Sequence, residues 1–116
     1  MSNLIWGKYD TLLADLDGVV YEGGNAIEHA IPTLVSIKKS GLPLAYVTNN
    51  SSRKPQTIAD QISAYGIDVS PDEVVSSGQT GVELLSTIIE PGSRVLVVGG
   101  EGLRTYTEQA GFKLVE

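Results

Sequence analysis

Short apolar runs typical of β-strands alternate along this chain with segments in which apolar residues recur at helical spacing. Five strand-like runs are predicted, at residues 10–16, 44–47, 74–75, 94–98 and 112–116. The helices predicted between them cover residues 26–39, 55–65, 82–89 and 103–110. Strands joined by helices of this length are linked by right-handed crossovers, which makes the sheet parallel. The alternation therefore predicts a three-layer α/β fold built on a parallel sheet.

The first strand-like run carries almost no polar residue before its end. Its residues Leu12, Leu13, Ala14 and Leu16 predict a strand that is buried on both faces, and such strands lie in the middle of a parallel sheet. Only the run at 44–47 is an obvious neighbour for it within this sequence. We therefore expect a strand that has the apolar character of a central strand but leaves one edge unpaired. Such an apolar edge is a template for pairing with another chain.

Composition excludes several classes of partner. The 116 residues suffice for one domain, and the net charge of −6 leaves no basic patch for nucleic acid or an anionic membrane. The absence of cysteine excludes disulfides, thiolate metal sites and cysteine nucleophiles. No apolar stretch approaches the roughly 20 residues of a membrane span, and the opening stretch MSNLIWGKYD lacks the apolar core of a signal peptide. We expect a cytoplasmic protein.

Polar residues follow the first three strand-like runs at the point where each run ends. In parallel α/β sheets, ligands bind beyond the carboxyl ends of the strands, so these residues are the candidates for a functional site. The polar candidates are Asp15, Asp17, Thr48, Asn49, Asn50, Ser76 and Ser77, and Gly18, which directly follows Asp17, is a candidate with them.

The two carboxylates Asp15 and Asp17 are the most informative pair. Side chains at positions i and i+2 of an extended chain project to the same side, and two anions so placed repel unless a cation or proton lies nearby. A solvated surface turn is the alternative, because Asp17-Gly18 is a common turn dipeptide. A Mg²⁺ ion that joins carboxylates to substrate phosphate is the favoured interpretation. Asp15 could then attack phosphorus, while Asp17 transfers the proton.

The stretch VTNNSS at 47–52 is the second candidate element. The Thr48 hydroxyl can donate to a phosphoryl oxygen, and the backbone amides that follow, leading into a helix, offer an anion site. Alternatively these polar residues only cap the next helix. Their expected position beside Asp15 and Asp17 favours phosphate binding.

The motifs LLADLDGVVY and AYVTNNSS resemble the first two motifs of the haloacid dehalogenase superfamily of phosphohydrolases. Together with VVSSGQT and VLVVGGEGLRTYTEQAGF, they are similar to the NagD-like branch, which contains phosphoglycolate, glycerol-3-phosphate and pyridoxal-phosphate phosphatases. The resemblance covers essentially the whole chain. It implies a Rossmann-like core and Mg²⁺-dependent hydrolysis of a small phosphorylated metabolite.

The resemblance also implies a role for individual residues. Asp15 matches the nucleophile that forms an aspartyl-phosphate, and Asp17 matches the general acid and base, whose backbone carbonyl usually also binds Mg²⁺. Both residues would therefore hold Mg²⁺. Thr48 and Asn49 match the phosphoryl-binding positions of the second motif, and Asn50 extends that loop. Gly18 matches the small residue that lets the chain turn beside the phosphate.

Two parts of the family pattern have no counterpart in this sequence. These are a lysine that holds nucleophile and phosphate together, and a later acidic motif that completes the metal shell. By resemblance, residues 1–78 correspond to the N-terminal part of the catalytic core and residues 79–116 to the opening of a cap domain. We therefore expect the chain alone to be inactive, to bind Mg²⁺ weakly, and either to need a further segment of the same protein or to self-associate.

Alternative functions start from other features of the sequence. The stretch VVGGEGL at 97–103 follows a strand and opens a helix, as a dinucleotide-binding loop does, but its glycine spacing does not fit. A non-catalytic nucleotide- or phosphate-binding module of Rossmann type is the second hypothesis. A receiver domain would need its aspartate after the third strand, where Ser76 and Ser77 stand. His29 is interpreted as a surface or helix-capping residue rather than a ligand.

Overall fold

A computed structural model describes residues 5–116 of the chain. Its strands are β1 (Leu12–Asp15), β2 (Tyr21–Glu22), β3 (Asn25–Ala26), β4 (Leu44–Thr48), β5 (Val74–Ser76), β6 (Arg94–Leu96) and β7 (Lys113–Val115). Its α-helices are α1 (Ala30–Lys39), α2 (Pro55–Ala64), α3 (Ser77–Ser86) and α4 (Glu101–Gln109). Short 3-10 helices span Ile5–Lys8 and Pro71–Glu73. The predicted alternation of strands and helices is confirmed.

The main sheet is parallel and has the order β1-β4-β5. Its register places Asp15 opposite Val47 and Thr48 opposite Ser76. The polar residues that end these strands are therefore brought to one edge of the sheet. The α/β fold class predicted from the sequence is confirmed.

One face of this sheet carries the core. The β1-α1-β4 and β4-α2-β5 crossovers run in the same direction across the sheet, and two right-handed crossovers of that kind place both helices on the same face. Ala14, Tyr46 and Val74 point into this layer and are buried. They pack with the apolar stripes of both helices, which contribute Ile31, Leu34, Ile37, Ile58, Ala59 and Ile62.

The opposite face of the same strands is open within residues 5–116. Leu13 is 66% exposed and Val75 is 37% exposed. The prediction that β1 is buried on both faces is therefore wrong for this chain: an apolar run specifies burial, but the helices that follow it cover only one side. The predicted unpaired edge is present among residues 5–116, where β1 pairs with β4 and with no other strand.

A β-hairpin that the sequence analysis did not predict follows β1. Its strands β2 and β3 pair antiparallel, with Glu22 opposite Asn25 and two glycines between them. Because the hairpin uses Asn25 and Ala26, the first helix begins at Ala30 rather than at Ala26. His29 precedes that helix with φ of 71° and an exposed side chain that makes no capping hydrogen bond. It is a surface residue, as expected, but its side chain does not cap.

A second, smaller unit follows β5. Strands β6 and β7 form their own parallel pair, and a separate apolar cluster joins Val82 of α3 to Tyr106 of α4 and Phe112. Helix α3 begins directly after β5 at Ser77, earlier than the periodicity predicts. The predicted division into residues 1–78 and 79–116 stays a prediction. None of the helices within residues 5–116 has both the length and the apolar character needed to cross a membrane.

Candidate functional site

The carboxyl ends of the three parallel strands open into one cleft of about 450 Å³. Strand β1 contributes Asp15, β4 contributes Thr48, and the loop after β4 contributes Asn49. The end of β5 and the start of α3 add the hydroxyl-bearing residues Ser76, Ser77 and Thr80. The structure therefore brings together three of the predicted site residues and both serines that were singled out after β5.

Asp15 is the last residue of β1 and its side chain is exposed at the cleft. One carboxylate oxygen, Oδ1, accepts a hydrogen bond of 2.9 Å from the Leu16 amide. No ion pair engages this carboxylate within residues 7–116. The backbone thus orients the group and leaves its second oxygen free to face a ligand.

Asp17 lies two residues further, where the chain has already left the strand. The Leu16 carbonyl accepts hydrogen bonds from the amides of Val19, Val20 and Tyr21 at 3.1, 2.9 and 3.2 Å, which winds this segment into a tight turn. Gly18 has φ of +82°, a conformation that side chains with a Cβ rarely adopt. Asp17 and Gly18 border the end of β1 but do not line the cleft. Because β1 ends at Asp15, the expectation that Asp15 and Asp17 stand on the same side of one extended strand is not met.

The side chain of Tyr21 links this turn to the next loop. Tyr21 is buried, and the centroid of its ring lies 6.3 Å from that of Tyr65, the residue that caps the C-terminus of α2. Burial raises the pKa of Tyr21, the Arg53 guanidinium beside its hydroxyl opposes that rise, and the Asp17 carboxylate adds to it. The charges of Asp17 and Arg53 therefore both influence the pKa of the Tyr21 hydroxyl.

The 48–53 loop, which comprises the last residue of β4 and the five residues after it, is held in shape largely by hydrogen bonds of its own side chains. The buried Thr48 hydroxyl accepts a 3.1 Å hydrogen bond from the Asn50 amide, which leaves the hydroxyl proton available for another acceptor. The Asn50 side-chain oxygen accepts from the Ser52 amide at 3.0 Å, and the Asn49 carbonyl accepts from the Ser77 hydroxyl at 3.0 Å. Asn50 thus shapes the loop, while Thr48 and Asn49 face the cleft.

The donor set at this edge fits Mg²⁺. Asp15 supplies a carboxylate at the cleft, and no group of three or more His, Asp or Glu side chains converges among the described residues. Mg²⁺ in proteins commonly uses one or two carboxylates and completes its shell with water and substrate phosphate oxygens. The Asp15 carboxylate at an open cleft satisfies that requirement.

Tyr21 was not predicted from the sequence as a neighbour of the site. A signal for the hairpin that carries it was available, because a Gly-Gly pair between strand-like residues is typical of a two-residue β-turn. The Arg53 guanidinium lies beside the Tyr21 hydroxyl, where its positive charge can attract anions.

The glycine-rich stretch 99–102 does not offer a dinucleotide site. The Gly102 amide, at the start of α4, already donates a 2.9 Å hydrogen bond to the Ser52 carbonyl. A Cβ at Gly102 would lie 2.6 Å from the Ser51 carbonyl oxygen. The space that a pyrophosphate would need at this helix N-terminus is therefore filled by the 48–53 loop.

Fold and site together define a parallel α/β protein whose ligand cleft lies at the carboxyl ends of its strands. The family of haloacid dehalogenase-like hydrolases matches residues 12–113. The chain belongs to this family, and its fold is similar to that of NagD, as its motifs predicted.

Characterised relatives share most of this chain. The acid sugar phosphatase of Staphylococcus aureus is 36% identical over 104 residues, which cover 90% of this chain and 40% of the relative. A glycerol phosphate phosphatase from Mycobacterium tuberculosis, solved in complex with magnesium, superposes with a TM-score of 0.87 at 33% identity, over 96% of this chain and 33% of that one. NagD from Escherichia coli K-12 gives a TM-score of 0.78 at 27% identity, over 91% and 42%. The chain thus spans about 40% of the length of the curated relatives it matches.

Proposed function

We propose that this chain carries the nucleophile and the phosphate loop of a Mg²⁺-dependent phosphatase that hydrolyses small phosphate monoesters. The observation that carries the proposal is the placement of Asp15 and Thr48 at adjacent strand ends on one cleft. A carboxylate with one free oxygen and a hydroxyl with a free proton are the groups that attack on phosphorus requires. Membership of a hydrolase family whose relatives are phosphatases supports the same reaction.

The reaction starts at the free oxygen of Asp15. This oxygen attacks phosphorus, the bond between phosphorus and the ester oxygen breaks, and the protonated Asp17 gives its proton to the departing alcohol. Asp17, now ionised, takes a proton from water as that water attacks the aspartyl-phosphate. Inorganic phosphate leaves, and Asp15 is restored as a carboxylate.

The loop after β4 holds the phosphoryl group during both steps. The Thr48 hydroxyl donates to one phosphoryl oxygen, since its own acceptor position is filled by the Asn50 amide. Asn49 contributes beside it, and Asn50 keeps the loop in shape. The Asp15 carboxylate and the Asp17 backbone carbonyl would hold Mg²⁺, which would neutralise phosphate charge in the site.

The substrate we propose is a small phosphorylated metabolite. Relatives are named acid sugar phosphatase and glycerol phosphate phosphatase, so sugar and polyol phosphates are the first compounds to assay, with phosphoglycolate and pyridoxal phosphate beside them. A cytoplasmic location stays a prediction from the sequence.

We also propose that the open sheet face and the β1 edge are covered in the active protein, either by a further segment of the same protein or by a second copy. The exposed Leu13 and Val75 support this, as does the lack of a lysine and a further acidic group at the cleft. Light scattering of residues 1–116 distinguishes the two: a dimer supports self-association, and a monomer that lacks activity supports a further segment. A monomer with Mg²⁺-dependent activity would contradict both.

Turnover of an aryl phosphate by the native protein that contains this sequence tests the reaction. Asp15→Asn should abolish turnover, because the amide cannot attack phosphorus. Asp17→Asn should slow it by about 100-fold or more, the usual loss of a general acid. His29→Ala is the matched control, since His29 is exposed away from the cleft. Turnover retained in Asp15→Asn would refute the assignment of the nucleophile.

A further inference from the structure

The glycine-rich turn at 99–102 lies directly against the 48–53 loop. At Gly100 an added Cβ would fall 2.6 Å from the Ser52 Cβ and 2.9 Å from its Cα. At Gly102 it would fall 2.6 Å from the Ser51 carbonyl oxygen and 2.8 Å from that of Arg53. Real Cβ atoms essentially never show contacts under 3.0 Å. The two backbones therefore approach more closely than any residue with a side chain permits.

Helix α3 approaches the same loop from another side. A Cβ at Gly78 would lie 2.6 Å from the Ser51 Cβ. One residue earlier, the Ser77 hydroxyl donates its 3.0 Å hydrogen bond to the Asn49 carbonyl. The start of α3 thus holds the first half of the loop, next to Thr48, as the start of α4 holds the second half.

Polar contacts fix this arrangement in register. The Gly102 amide donates to the Ser52 carbonyl at 2.9 Å, and the Lys54 ammonium lies 3.0 Å from a Glu101 carboxylate oxygen. A turn that served only to connect β6 to α4 would need neither the glycines at 100 and 102 nor an amide directed at another loop.

We propose that Gly78, Gly100 and Gly102, with the Ser77 hydroxyl and the Gly102 amide, form a seat that positions the 48–53 loop for phosphate binding. They are positioning residues, since they contact the loop rather than the phosphate. The proposal rests on the proposed function only for its last step, that the loop binds phosphate. Its consequence is that the unit after β5 sets the geometry of a site built on the main sheet.

Hydrogen–deuterium exchange of the full 116-residue chain, read from peptides that cover 48–53, tests the seat without any ligand. In Gly102→Ala the added Cβ displaces the loop, so exchange of the Asn50 and Ser52 amides should become about tenfold faster, the scale of one lost hydrogen bond. Gly24→Ala is the matched control, because a Cβ there meets nothing within 4 Å. It should leave loop exchange unchanged.

Ser77→Ala tests the same seat with a change that adds no bulk. It removes the hydrogen bond to Asn49, and loop exchange should again rise by a few-fold; Ser77→Thr, which keeps the hydroxyl, should restore the wild-type rate. In the native protein that contains this sequence, the affinity for fluoroberyllate with Mg²⁺, a mimic of bound phosphoryl, should weaken in Ser77→Ala and recover in Ser77→Thr.

Faster exchange confined to 48–53 supports the seat. Loop exchange at the wild-type rate in both Gly102→Ala and Ser77→Ala would overturn it, and so would an equal acceleration across α1 and α2, since that reports general destabilisation. If Gly102→Ala does not fold, Ser77→Ala and Ser77→Thr decide. Failure of the native protein that contains this sequence to bind fluoroberyllate would refute the proposed function, while the exchange measurement on the 116-residue chain would still test the seat.

Discussion

The two faces of the β1-β4-β5 sheet are made of the same three strands and differ in almost every other respect. On the covered face, Ala14 and Tyr46 pack beneath α1 and α2. On the other face, Leu13 and Val75 are exposed, and the line of side chains ends at Asp15. Alternation along a strand sends neighbouring residues to opposite faces. Of two consecutive residues in these strands, one therefore packs in the core and the next lies on the open surface.

The difference shows how this fold keeps stability and chemistry apart. The covered face closes an apolar core without help from the cleft residues. The open face leaves Asp15 with a free oxygen at the cleft, where the buried Thr48 ends the adjacent strand. The Thr48 hydroxyl proton is not used by the hydrogen bond from the Asn50 amide, so both groups remain available to a ligand.

The largest expected effect comes from a pair of truncations, one on each side of the sheet. Ile62→Ala in the fully buried stripe of α2 should cost about 2–5 kcal/mol of unfolding free energy, the range for buried Ile or Leu to Ala changes. Leu13→Ala on the open face should cost no more than about 0.5 kcal/mol. Urea unfolding of both variants measures the two costs. Equal costs would mean that the open face is covered in solution.

Alkaline pH should weaken the covered face. Burial raises the pKa of Tyr46 from 10.0 to about 12, and the Glu73 carboxylate adds to the rise. The unfolded chain therefore loses this proton at a lower pH than the folded chain, so the stability that the neutral phenol confers is complete below pH 10 and is lost as the pH rises through 12. The slope should reach at most about 1.4 kcal/mol per pH unit. Tyr46→Phe should remove that part of the slope; an unchanged slope would show that Tyr46 ionises normally.

A smaller effect is expected at the turn where the open face ends. Gly18→Ala forces a side chain into φ of +82° and should cost about 1–2 kcal/mol, the penalty for a left-handed residue with a Cβ. Thermal unfolding beside Gly24→Ala, whose added methyl meets nothing within 4 Å, separates backbone strain from the general loss of a glycine. A cost no greater than that of the control would show that the turn relaxes easily.

The smallest effect should follow from the Lys54–Glu101 ion pair, because both side chains are substantially exposed. Glu101→Gln should change the free energy of unfolding by less than about 0.5 kcal/mol, and high salt should erase the difference. A loss that persists in high salt would indicate that this pair contributes more to the second unit than its exposure predicts.

Much of this organisation follows from local patterns in the sequence. Helix α2 begins at Pro55 and packs Ile58 and Ile62, as periodicity predicts, and the polar ends of β1 and β4 meet because parallel strands share an edge. The open face of β1 could not be predicted from its residues. Leu13 is more apolar than Ala14 and is nevertheless the exposed one, because the side that is covered depends on the direction of crossovers far along the chain.

The site divides in the same way. Asp15 and Thr48 could be placed from strand ends, whereas the turn after Asp15 depends on three amides converging on the Leu16 carbonyl. The contact between the 48–53 loop and Gly102 joins residues about fifty positions apart, and periodicity carries no information on such contacts. The sequence marks the glycines, and only the fold shows what they touch.

The central claim is that Asp15 and the 48–53 loop form one Mg²⁺-dependent phosphate site at the carboxyl end of the sheet. ¹⁹F NMR of the native protein that contains this sequence, with fluoroberyllate and with and without millimolar Mg²⁺, tests it most directly, because this ligand forms a tetrahedral adduct on a carboxylate oxygen. We predict bound signals with Mg²⁺ that vanish on chelation and in Asp15→Asn and persist in His29→Ala. Bound signals that survive in Asp15→Asn, or that do not need Mg²⁺, would contradict the account.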